Sequence, residues 1–427
     1  MSLRAQGKLG WLGAALTALF GMGAQAPSTP ADLLRIPAVK AALDRSRAGE
    51  SQTLADGIRF CEVPAPTSKE AARAELLRQS FQQLGLKNIR VDRAGNVLGD
   101  RPGTAPRPHI VLSAHLDTVF PEGTLVAVKR SGTMLRGPGI GDDCRGLAVL
   151  VAVARALRDG NVQTPGSITF VATVGEEGLG DLKGSKELFG VNRIDGLAVA
   201  RSTDIDKFVS IDGTGLGVTN IGVGSVRYRV TFKGPGGHSF AAFGVPSAID
   251  AMGRAIAKIS DFQVPKSPAT TFAVGRVGGG TSVNSIASEA WMEVDLRSVE
   301  PGPLAALEGA LRRAVELGAV EENERWSAPG TITATMERVG DRPAGKTPPD
   351  SAIVRTAEAV NRALGFPFTL HESSTDSNIP MSLGTPAITI GGGGRGFDAH
   401  APSESFDTTD SWMGTQRALL LTIALAQ

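Results

Sequence analysis

The chain has 427 residues, and its 44 Lys and Arg residues nearly balance its 43 Asp and Glu residues, so its formal net charge is only +1. Proteins that bind nucleic acid neutralise phosphates with a surplus of basic side chains. No cluster of Lys and Arg occurs here, which argues against that class. Hydrophobic residues at 41% and charged residues at 20% are typical of a globular protein with a large core. Because this length exceeds what one core usually supports, we expect two domains.

The beginning of the chain has the pattern of a secretory signal. Arg4 and Lys8 give a basic start, residues 9–22 are apolar, and residues 24–26 form a small-x-small cleavage site. We therefore predict that residues 1–26 are a signal peptide and that the mature protein is secreted or periplasmic, without a membrane segment. An uncleaved anchor is the alternative, but the apolar run is shorter than the ~20 residues that span a bilayer.

Strand and helix patterns alternate through the first half of the chain and return near its end. The predicted strands cover residues 110–114, 168–174, 227–232, 272–277, 290–296, 332–336 and 386–390, and the predicted helices cover residues 68–84, 146–157, 246–259, 304–317, 352–364 and a stretch after 410. This alternation indicates an α/β domain with a mostly parallel sheet, formed by residues 31–216 and 341–427. The β-α-β-β-α-β order within residues 217–340 indicates an inserted ferredoxin-like α+β module.

The first two candidate site segments are a strand exit and a glycine-rich turn. His115 and Asp117 follow the predicted strand at 110–114 and share one face of it, so the imidazole could bind a metal ion while the carboxylate orients the ring. Asp142 and Asp143 end a Gly-Ile-Gly-Asp-Asp turn directly before a helix. Each pair alone has an ordinary explanation, since such side chains are often solvated or cap a helix.

Three further candidates follow apolar runs. Glu176 and Glu177 are adjacent acids after the predicted strand at 168–174, and like charges side by side are costly unless a cation compensates them. Asp212 follows a short apolar run, and His400 follows a run of four glycines. Folds of this class build sites at the carboxyl ends of their strands. One histidine and one carboxylate for each metal, plus a bridging aspartate, would suit two zinc ions and a shared water.

These motifs resemble the M20 family of metallopeptidases, which includes tripeptide aminopeptidases, glutamate-releasing carboxypeptidases and deacylases of N-acyl amino acids. The similarity extends over nearly all of the mature chain, from residues 61–66 to His400. The resemblance implies a ligand set for two divalent ions, with His115 and Asp212 on one ion, Glu177 and His400 on the other, and Asp142 bridging both. Asp142 is chosen over Asp143 because the family pattern places the bridging acid first. By the same resemblance, Asp117 would orient His115 and Glu176 would be the general base.

The inserted module carries further residues that resemble the family pattern. His238, in a Gly-Pro-Gly-Gly-His loop, resembles the histidine that reaches the partner's active site in the family's dimers and stabilises the developing oxyanion. Asn284 and Arg297 resemble positions that hold the substrate and its carboxylate, which a guanidinium can bind through two hydrogen bonds. The resemblance thus implies a homodimer formed through a module that also closes over the substrate. A surface role for His238 and a salt bridge for Arg297 are the ordinary alternatives.

The segment after the bridging acid departs from the family pattern. The family's Lys-Gly becomes Cys144-Arg145-Gly146, which places a thiol close to the expected metal site. Cys144 could form one disulfide with Cys61 in an oxidising compartment, or both could remain buried thiols, and we favour the second.

The favoured hypothesis is an exported dinuclear metal hydrolase that cleaves the amide bond of di- or tripeptides, with Glu176 as general base toward a metal-bridged water. An N-acyl amino acid deacylase of the same family is an alternative. Zinc is the expected metal, although mixed nitrogen and oxygen ligands also accept cobalt or manganese. A catalytically silent protein that sequesters metal or peptide is a hypothesis of another class, and a single-metal hydrolase is a third. The silent protein is disfavoured because neither the base nor any ligand is missing.

Overall fold

The computed structural model describes residues 29–191, 193–194, 197–198, 204–328 and 330–427. The signal peptide expected at residues 1–26 lies outside the described residues. Within the described ranges, none of the helices combines the length and the apolar character needed to cross a bilayer.

The described helices are α1 Pro30–Leu33, α2 Pro37–Ala48, α3 Glu50–Cys61, α4 Ala71–Gln83, α5 Cys144–Asp159, α6 Lys183–Leu188, α7 Ala248–Ser260, α8 Pro301–Arg325, α9 Ala352–Leu364, α10 Asn378–Ser382 and α11 Trp412–Leu425. The described strands are β1 Lys87–Val91, β2 Val97–Arg101, β3 His109–His115, β4 Lys129–Ser131, β5 Met134–Arg136, β6 Ser167–Thr173, β7 Arg193–Ile194, β8 Leu197–Ala198, β9 Lys207–Ile211, β10 Val218–Gly222, β11 Gly224–Lys233, β12 Gly237–His238, β13 Thr270–Gly279, β14 Ser285–Ile286, β15 Glu289–Ser298, β16 Thr333–Arg342, β17 Gly345–Lys346, β18 Leu370–Ser373, β19 Ala387–Ile390, β20 Arg395–Phe397 and β21 Ser405–Asp407.

A nine-stranded sheet forms the larger layer, in the order β1-β2-β6-β3-β9-β19-β10-β17, with β18 paired to β10. The central strands β6, β3, β9 and β19 are parallel, whereas β1, β2 and β17 pair antiparallel at the edges. This arrangement confirms the predicted α/β fold class with a largely parallel sheet. The parallel strands place their carboxyl ends at one edge of the sheet.

Alternate residues of the central strands enter two different cores. In β3, Ile110 and Leu112 pack with α5 and α11 on one face, and Val111 packs with Phe189 and Phe208 on the other. A parallel sheet covered on both faces requires strands that are apolar at nearly every position. The continuous apolar runs that predicted β3 and β6 therefore reflect burial on both faces.

The inserted module is a four-stranded antiparallel sheet in the order β13-β15-β11-β16, with α7 and α8 packed on one face. This is the β-α-β-β-α-β arrangement that the sequence predicts. Alternation along β15 places Met292 and Leu296 in the module's own core. Since successive strand residues point to opposite faces, Asp295 and Arg297 lie on the face away from the helices.

The helices α1 to α3 lie in a stretch for which the sequence patterns predict no element, because their apolar positions lie among polar and charged residues. The helix expected at 304–317 is also longer than predicted, since α8 continues to Arg325.

Candidate metal centre

The candidate ligands lie at the carboxyl ends of neighbouring central strands. His115 is the last residue of β3, Glu177 follows β6, and Asp212 follows β9. Asp142 lies in the turn before α5, and His400 lies in the loop between β20 and β21. The parallel pairing of β6, β3 and β9 brings three of these segments side by side. The turn of Asp142 comes from the connection between β3 and β6, so only the loop of His400 comes from a distant part of the chain.

Asp142 lies between the two histidines. Its Oδ1 is 2.9 Å from Nε2 of His115, and its Oδ2 is 3.1 Å from Nε2 of His400. Asp212 Oδ1 is 3.9 Å from the same nitrogen of His115, and Glu177 Oε1 is 3.2 Å from Nε2 of His400. The structure thus brings all five sequence-predicted ligands together as two sets that share Asp142.

These donor atoms fit divalent metal ions. Metal–ligand bonds of about 2.0–2.2 Å in a tetrahedral zinc site place neighbouring donor atoms about 3.3–3.5 Å apart, close to the spacings measured here. One ligand atom each from His115, Asp142 and Glu177 lies within 4.8 Å of the other two. Imidazole nitrogens and carboxylate oxygens are also the donors that zinc, cobalt and manganese accept.

The electrostatics of the cluster also favour bound cations. Burial, reinforced by the nearby Asp142 carboxylate, raises the pKa of Asp212 to about 7. Hydrogen bonds from His115 and His400 hold the pKa of Asp142 below its ordinary value although burial opposes them. Hydrogen bonds to Asp142 and Glu177 raise the pKa of His400 to about 10. The cluster therefore retains protons that a divalent ion would displace.

Asp143 has a different role from its neighbour. Its Oδ2 accepts a hydrogen bond from the backbone N–H of His115 at 3.0 Å, and its Oδ1 accepts one from Gly146 at 3.0 Å. The carboxylate lies within 4.8 Å of ligand atoms of His115 and Asp212. Because both of its oxygens already accept backbone bonds, we interpret Asp143 as the cap of α5.

Asp117 connects His115 to the loop that carries Glu176 and Glu177. Its carboxylate accepts hydrogen bonds from the backbone N–H groups of Glu176 and Glu177, at 2.9 and 3.0 Å, and from the Thr67 hydroxyl at 2.9 Å. One of its oxygens lies 3.5 Å from Nδ1 of His115. The backbone carbonyl of Asp117 is closer to this nitrogen, at 3.1 Å. Asp117 therefore connects β3 to the loop after β6, and the orienting role of its carboxylate stays a prediction.

Glu176 lines the cavity and contacts Arg342. Its side chain is buried, and Oε1 lies 3.2 Å from Nη1 of Arg342. Burial raises the pKa of Glu176 well above its ordinary value, although the Arg342 guanidinium opposes this. A carboxyl group in this environment can take up a proton more readily than an exposed one.

A cavity of about 320 Å³ opens beside the cluster. It is lined by Val119, Asp142, Glu176, Glu177, Gly178, Asp212, Arg227, Arg297, Arg342, Ser373, Ser374 and His400. Acidic groups from the larger domain and arginines from the inserted module both line it. The lining therefore offers groups for cations and groups for an anionic part of a ligand.

Two sequence-predicted residues of the module are not among the residues that line this cavity. His238 ends β12, which pairs with β14, and Asn284 directly precedes β14, where Ser239 N donates to the Asn284 carbonyl at 3.0 Å. His238 is exposed, and its Nδ1 accepts from the backbone N–H of Phe240 at 3.2 Å. Arg297, in contrast, does line the cavity. The roles proposed for these three residues stay predictions.

Sequence reasoning missed Arg227 and Arg342. Arg227 alternates with core residues of β11, and Arg342 ends β16, so both occupy ordinary positions for charged residues of an antiparallel strand. Alternation along the strands places both arginines on the side of the module's sheet that carries no helix, and this alternation is the sequence signal that could have found them. Asp376 was also missed; it lies in the loop between β18 and α10, and its buried Oδ2 accepts from Thr173 at 2.6 Å.

The two cysteines are buried and form no disulfide. Cys61 Sγ lies 3.3 Å from the carbonyl oxygen of Pro138, toward which it donates. In the described part of the chain, neither cysteine belongs to the groups of side chains that could hold a metal.

Comparison with known proteins places the chain among metal-dependent peptidases. The model of peptidase family M20/M25/M40 matches residues 111–425. Carboxypeptidase G2 from Pseudomonas sp. (strain RS-16) is 26% identical over 239 residues, which is 53% of this chain and 54% of that protein, so the chain matches about half the length of this curated relative.

Two solved structures have a similar fold. The tripeptidase from Staphylococcus aureus subsp. aureus Mu50 has a TM-score of 0.69 and 23% identity, with 88% of this chain and 98% of that chain covered. The Bacillus subtilis YXEP protein, described as a dinuclear metal binding peptidase, has a TM-score of 0.63 and 17% identity, with 88% and 98% covered.

Proposed function

Because the chain belongs to peptidase family M20/M25/M40, whose model covers more than half of it, we propose that it is a dinuclear metal hydrolase that cleaves the amide bond of short peptides. The observation that carries this proposal is the position of Asp142, whose two carboxylate oxygens face His115 and His400 at 2.9 and 3.1 Å. Asp212 and Glu177 complete two donor sets of the same composition.

We infer that the donor sets hold two divalent ions, with zinc as the native metal. When bound, the two ions would lower the pKa of a water molecule between them and polarise the scissile carbonyl. The fold of YXEP, a dinuclear metal binding peptidase, supports a two-ion stoichiometry. Cobalt and manganese accept the same donors, so metal analysis of the purified protein is the test of identity.

Glu176 acts as the general base in this proposal. Its buried carboxylate lines the same cavity as Asp142 and Asp212, so it can take the proton of the attacking water and later deliver it to the leaving nitrogen. Because Glu177 points to His400, the adjacent acids divide proton transfer and metal binding between them.

The arginines of the module suit the carboxylate of a short peptide. Arg227, Arg297 and Arg342 form an arginine wall of the cavity that Asp142, Glu177, Asp212 and His400 also line. A guanidinium can bind a carboxylate through two hydrogen bonds, so this wall would fix the end of the substrate while the amide carbonyl reaches the ions.

Substituting the adjacent acids tests the proposal. Glu176→Gln should retain two equivalents of metal and lose turnover by roughly 10²–10⁴-fold, because the base is absent. The matched variant Glu177→Gln should lower metal content, because a ligand is absent. Metal analysis and initial rates on the same preparations measure both effects. Normal turnover in metal-loaded Glu176→Gln would remove Glu176 from this role.

A substrate panel separates the peptidase from its alternatives. Tripeptides, dipeptides with C-terminal glutamate, and N-acetyl amino acids should be compared at equal concentration with the metal-loaded protein. We expect hydrolysis of peptides. Preference for N-acetyl amino acids would favour the deacylase, and no hydrolysis of any of them by metal-loaded protein would favour the silent binding protein.

We further propose a homodimer formed through the inserted module. Phe240, Phe243 and Val283 are largely exposed on the loops beside His238 and Asn284. A second copy would cover these apolar side chains and could bring His238 of one copy to the cavity of the other. Sedimentation velocity should show a dimer, and Phe240→Asp should convert it to a monomer.

We also propose that the protein is exported. The basic start, apolar run and small-x-small site of residues 1–26 support this. Expression of the full chain should yield a secreted or periplasmic form that lacks this segment, as measured by mass spectrometry of the mature protein.

A further inference from the structure

Glu404 is a buried carboxylate beneath the turn that carries Asp142. Its exposed fraction is 2%, and within the described ranges it forms no ion pair with Lys, Arg or His. Three backbone N–H groups contact it instead. Gly139 donates to Oε2 at 2.9 Å, and Gly141 and Asp142 donate to Oε1 at 2.8 and 3.0 Å.

These hydrogen bonds are what make the buried charge tolerable. Burial raises the pKa of Glu404, and the bonds from Gly139 and Gly141 oppose that rise. Hydrogen bonds to an ionised acceptor are roughly twice as strong as neutral ones. Successive backbone N–H groups that converge on one point form an anion-binding concavity, here filled by a side chain of the same protein.

The turn is shaped to approach this carboxylate. Gly139 has a φ of +78°, a conformation that favours glycine. A Cβ atom on Gly141 would lie only 3.2 Å from Oε1 of Glu404. A larger residue at either position would strain the turn or push the carboxylate away.

Glu404 also joins the two chain segments that meet at the candidate metal centre. It follows His400 by four residues and immediately precedes β21, which pairs with β5. The strand β5 leads into the turn, and Gly137 N donates to the Glu404 carbonyl at 3.0 Å. Glu404 and the β5–β21 pairing therefore together hold the loop of His400 to the turn of Asp142.

We propose that Glu404 is a positioning residue that holds the Gly139–Asp142 turn so that the Asp142 carboxylate lies between His115 and His400 at the spacing two metal ions require. This inference rests on the proposed dinuclear function. Glu404 is not among the residues that line the cavity, and it acts through the backbone N–H of the bridging ligand.

The test compares Glu404→Gln with Glu322→Gln in the full chain. Glu322 is the control for a buried carboxylate remote from the metal centre, since it is fully buried in the inserted module, where it accepts from the Ser247 backbone N–H at 3.1 Å and pairs with Arg254. The metal-free proteins are titrated with Co²⁺, and the visible absorption and the binding affinity are recorded alongside thermal unfolding.

Glu404→Gln should lower Co²⁺ affinity by about 10–100-fold and change the absorption spectrum, because the side-chain NH₂ group of the glutamine would face a backbone N–H donor of the turn. Glu322→Gln should leave both unchanged.

Glu404→Ala provides a second measurement that does not depend on the side-chain amide introduced by Glu404→Gln. Formate, but not chloride at equal ionic strength, should restore part of its Co²⁺ affinity by occupying the space of the missing carboxylate. Unchanged Co²⁺ affinity and spectrum in folded Glu404→Gln would overturn the positioning role and leave the proposed function intact. Failure of the wild-type protein to bind Co²⁺ would instead overturn the proposed function and this inference with it.

Discussion

Adjacent acids in this chain differ in what surrounds each carboxylate. Asp142 faces two imidazoles, whereas both oxygens of Asp143 accept backbone N–H groups. Glu177 approaches His400, while Glu176 meets Arg342 in the cavity. Since neighbouring side chains leave the backbone in different directions, one short segment can supply a metal ligand and also a group with another role.

Asp376 is a buried acid outside the donor cluster. One of its oxygens accepts from Thr173 at 2.6 Å, and the other has no hydrogen-bond partner. Burial raises the pKa of Asp376 to about 6. In the unfolded chain an aspartate has a pKa of about 3.9, so between these values the folded state binds more protons than the unfolded state. Stability therefore falls as the pH rises through this window, and the loss is complete above it.

We predict that Asp376→Asn becomes more stable relative to wild type as the pH is raised from 4 to 8. The shift corresponds to a gain on the order of 2–3 kcal/mol in the free energy of unfolding, less whatever the amide loses in its contact with Thr173. Urea unfolding of the metal-free proteins at each pH measures this difference. A difference that stays constant over this range would contradict the assignment of a raised pKa to Asp376.

At the scale of elements, burial decided which strands and helices could be predicted. The strands β3 and β6 are apolar at nearly every position because both faces are covered, and this run is visible in the sequence. The edge strand β1 is largely exposed and has no such run, so it was missed. The helix α3 was also missed, although its buried positions include Leu54 and Phe60, because they lie among polar residues.

Residues of the candidate site were predictable from the local sequence only where a possible metal ligand directly follows a recognisable strand. His115 and Glu177 follow recognisable apolar strands, and the M20 resemblance supplied the pairing of the distant His400 with Asp142. Nothing in the local sequence connects Glu404 to Gly139, because their contact joins segments separated by 265 residues. Hydrogen bonds between a side chain and a remote backbone group leave no periodic signal.

The packing of α7 against α8 gives a prediction for this pair of helices. Gly318 of α8 is buried, and a Cβ atom there would lie 2.7 Å from the Ala251 carbonyl of α7. Gly309, in the same helix, would place its Cβ no closer than 3.5 Å to the flexible end of Arg313. Gly318→Ala should therefore destabilise the module by about 1–3 kcal/mol, and Gly309→Ala should stabilise it by up to about 1 kcal/mol.

Urea unfolding followed by circular dichroism measures both glycine variants. Because the same substitution is made in one helix, helix propensity is matched and only the contact with α7 differs. Equal effects of the two substitutions would show that the close approach of the helices at Gly318 does not limit stability.

In the whole molecule, the inserted module leaves and rejoins the larger domain at one place. The strands β10 and β17 are antiparallel neighbours, with Gly222 opposite Gly345. The module has a separate core, and the five candidate ligands all lie outside it. Metal binding and the arginine wall of the cavity are therefore supplied by different parts of the chain.

This division predicts the outcome of removing the module. Replacing residues 224–342 with a short Gly-Ser linker should leave a folded chain, because the ends to be joined are already paired across β10 and β17. This variant should still bind two divalent ions but should lose turnover, since Arg227, Arg297 and Arg342 no longer line the cavity. Circular dichroism, metal analysis and rates on the best substrate of the panel measure the three properties.

Arg342→Ala in the full chain is the matched control, because it removes one arginine of the wall without removing the module. If the folded deletion variant bound no metal, the module would have to contribute to the metal centre itself, contrary to the ligand set described above.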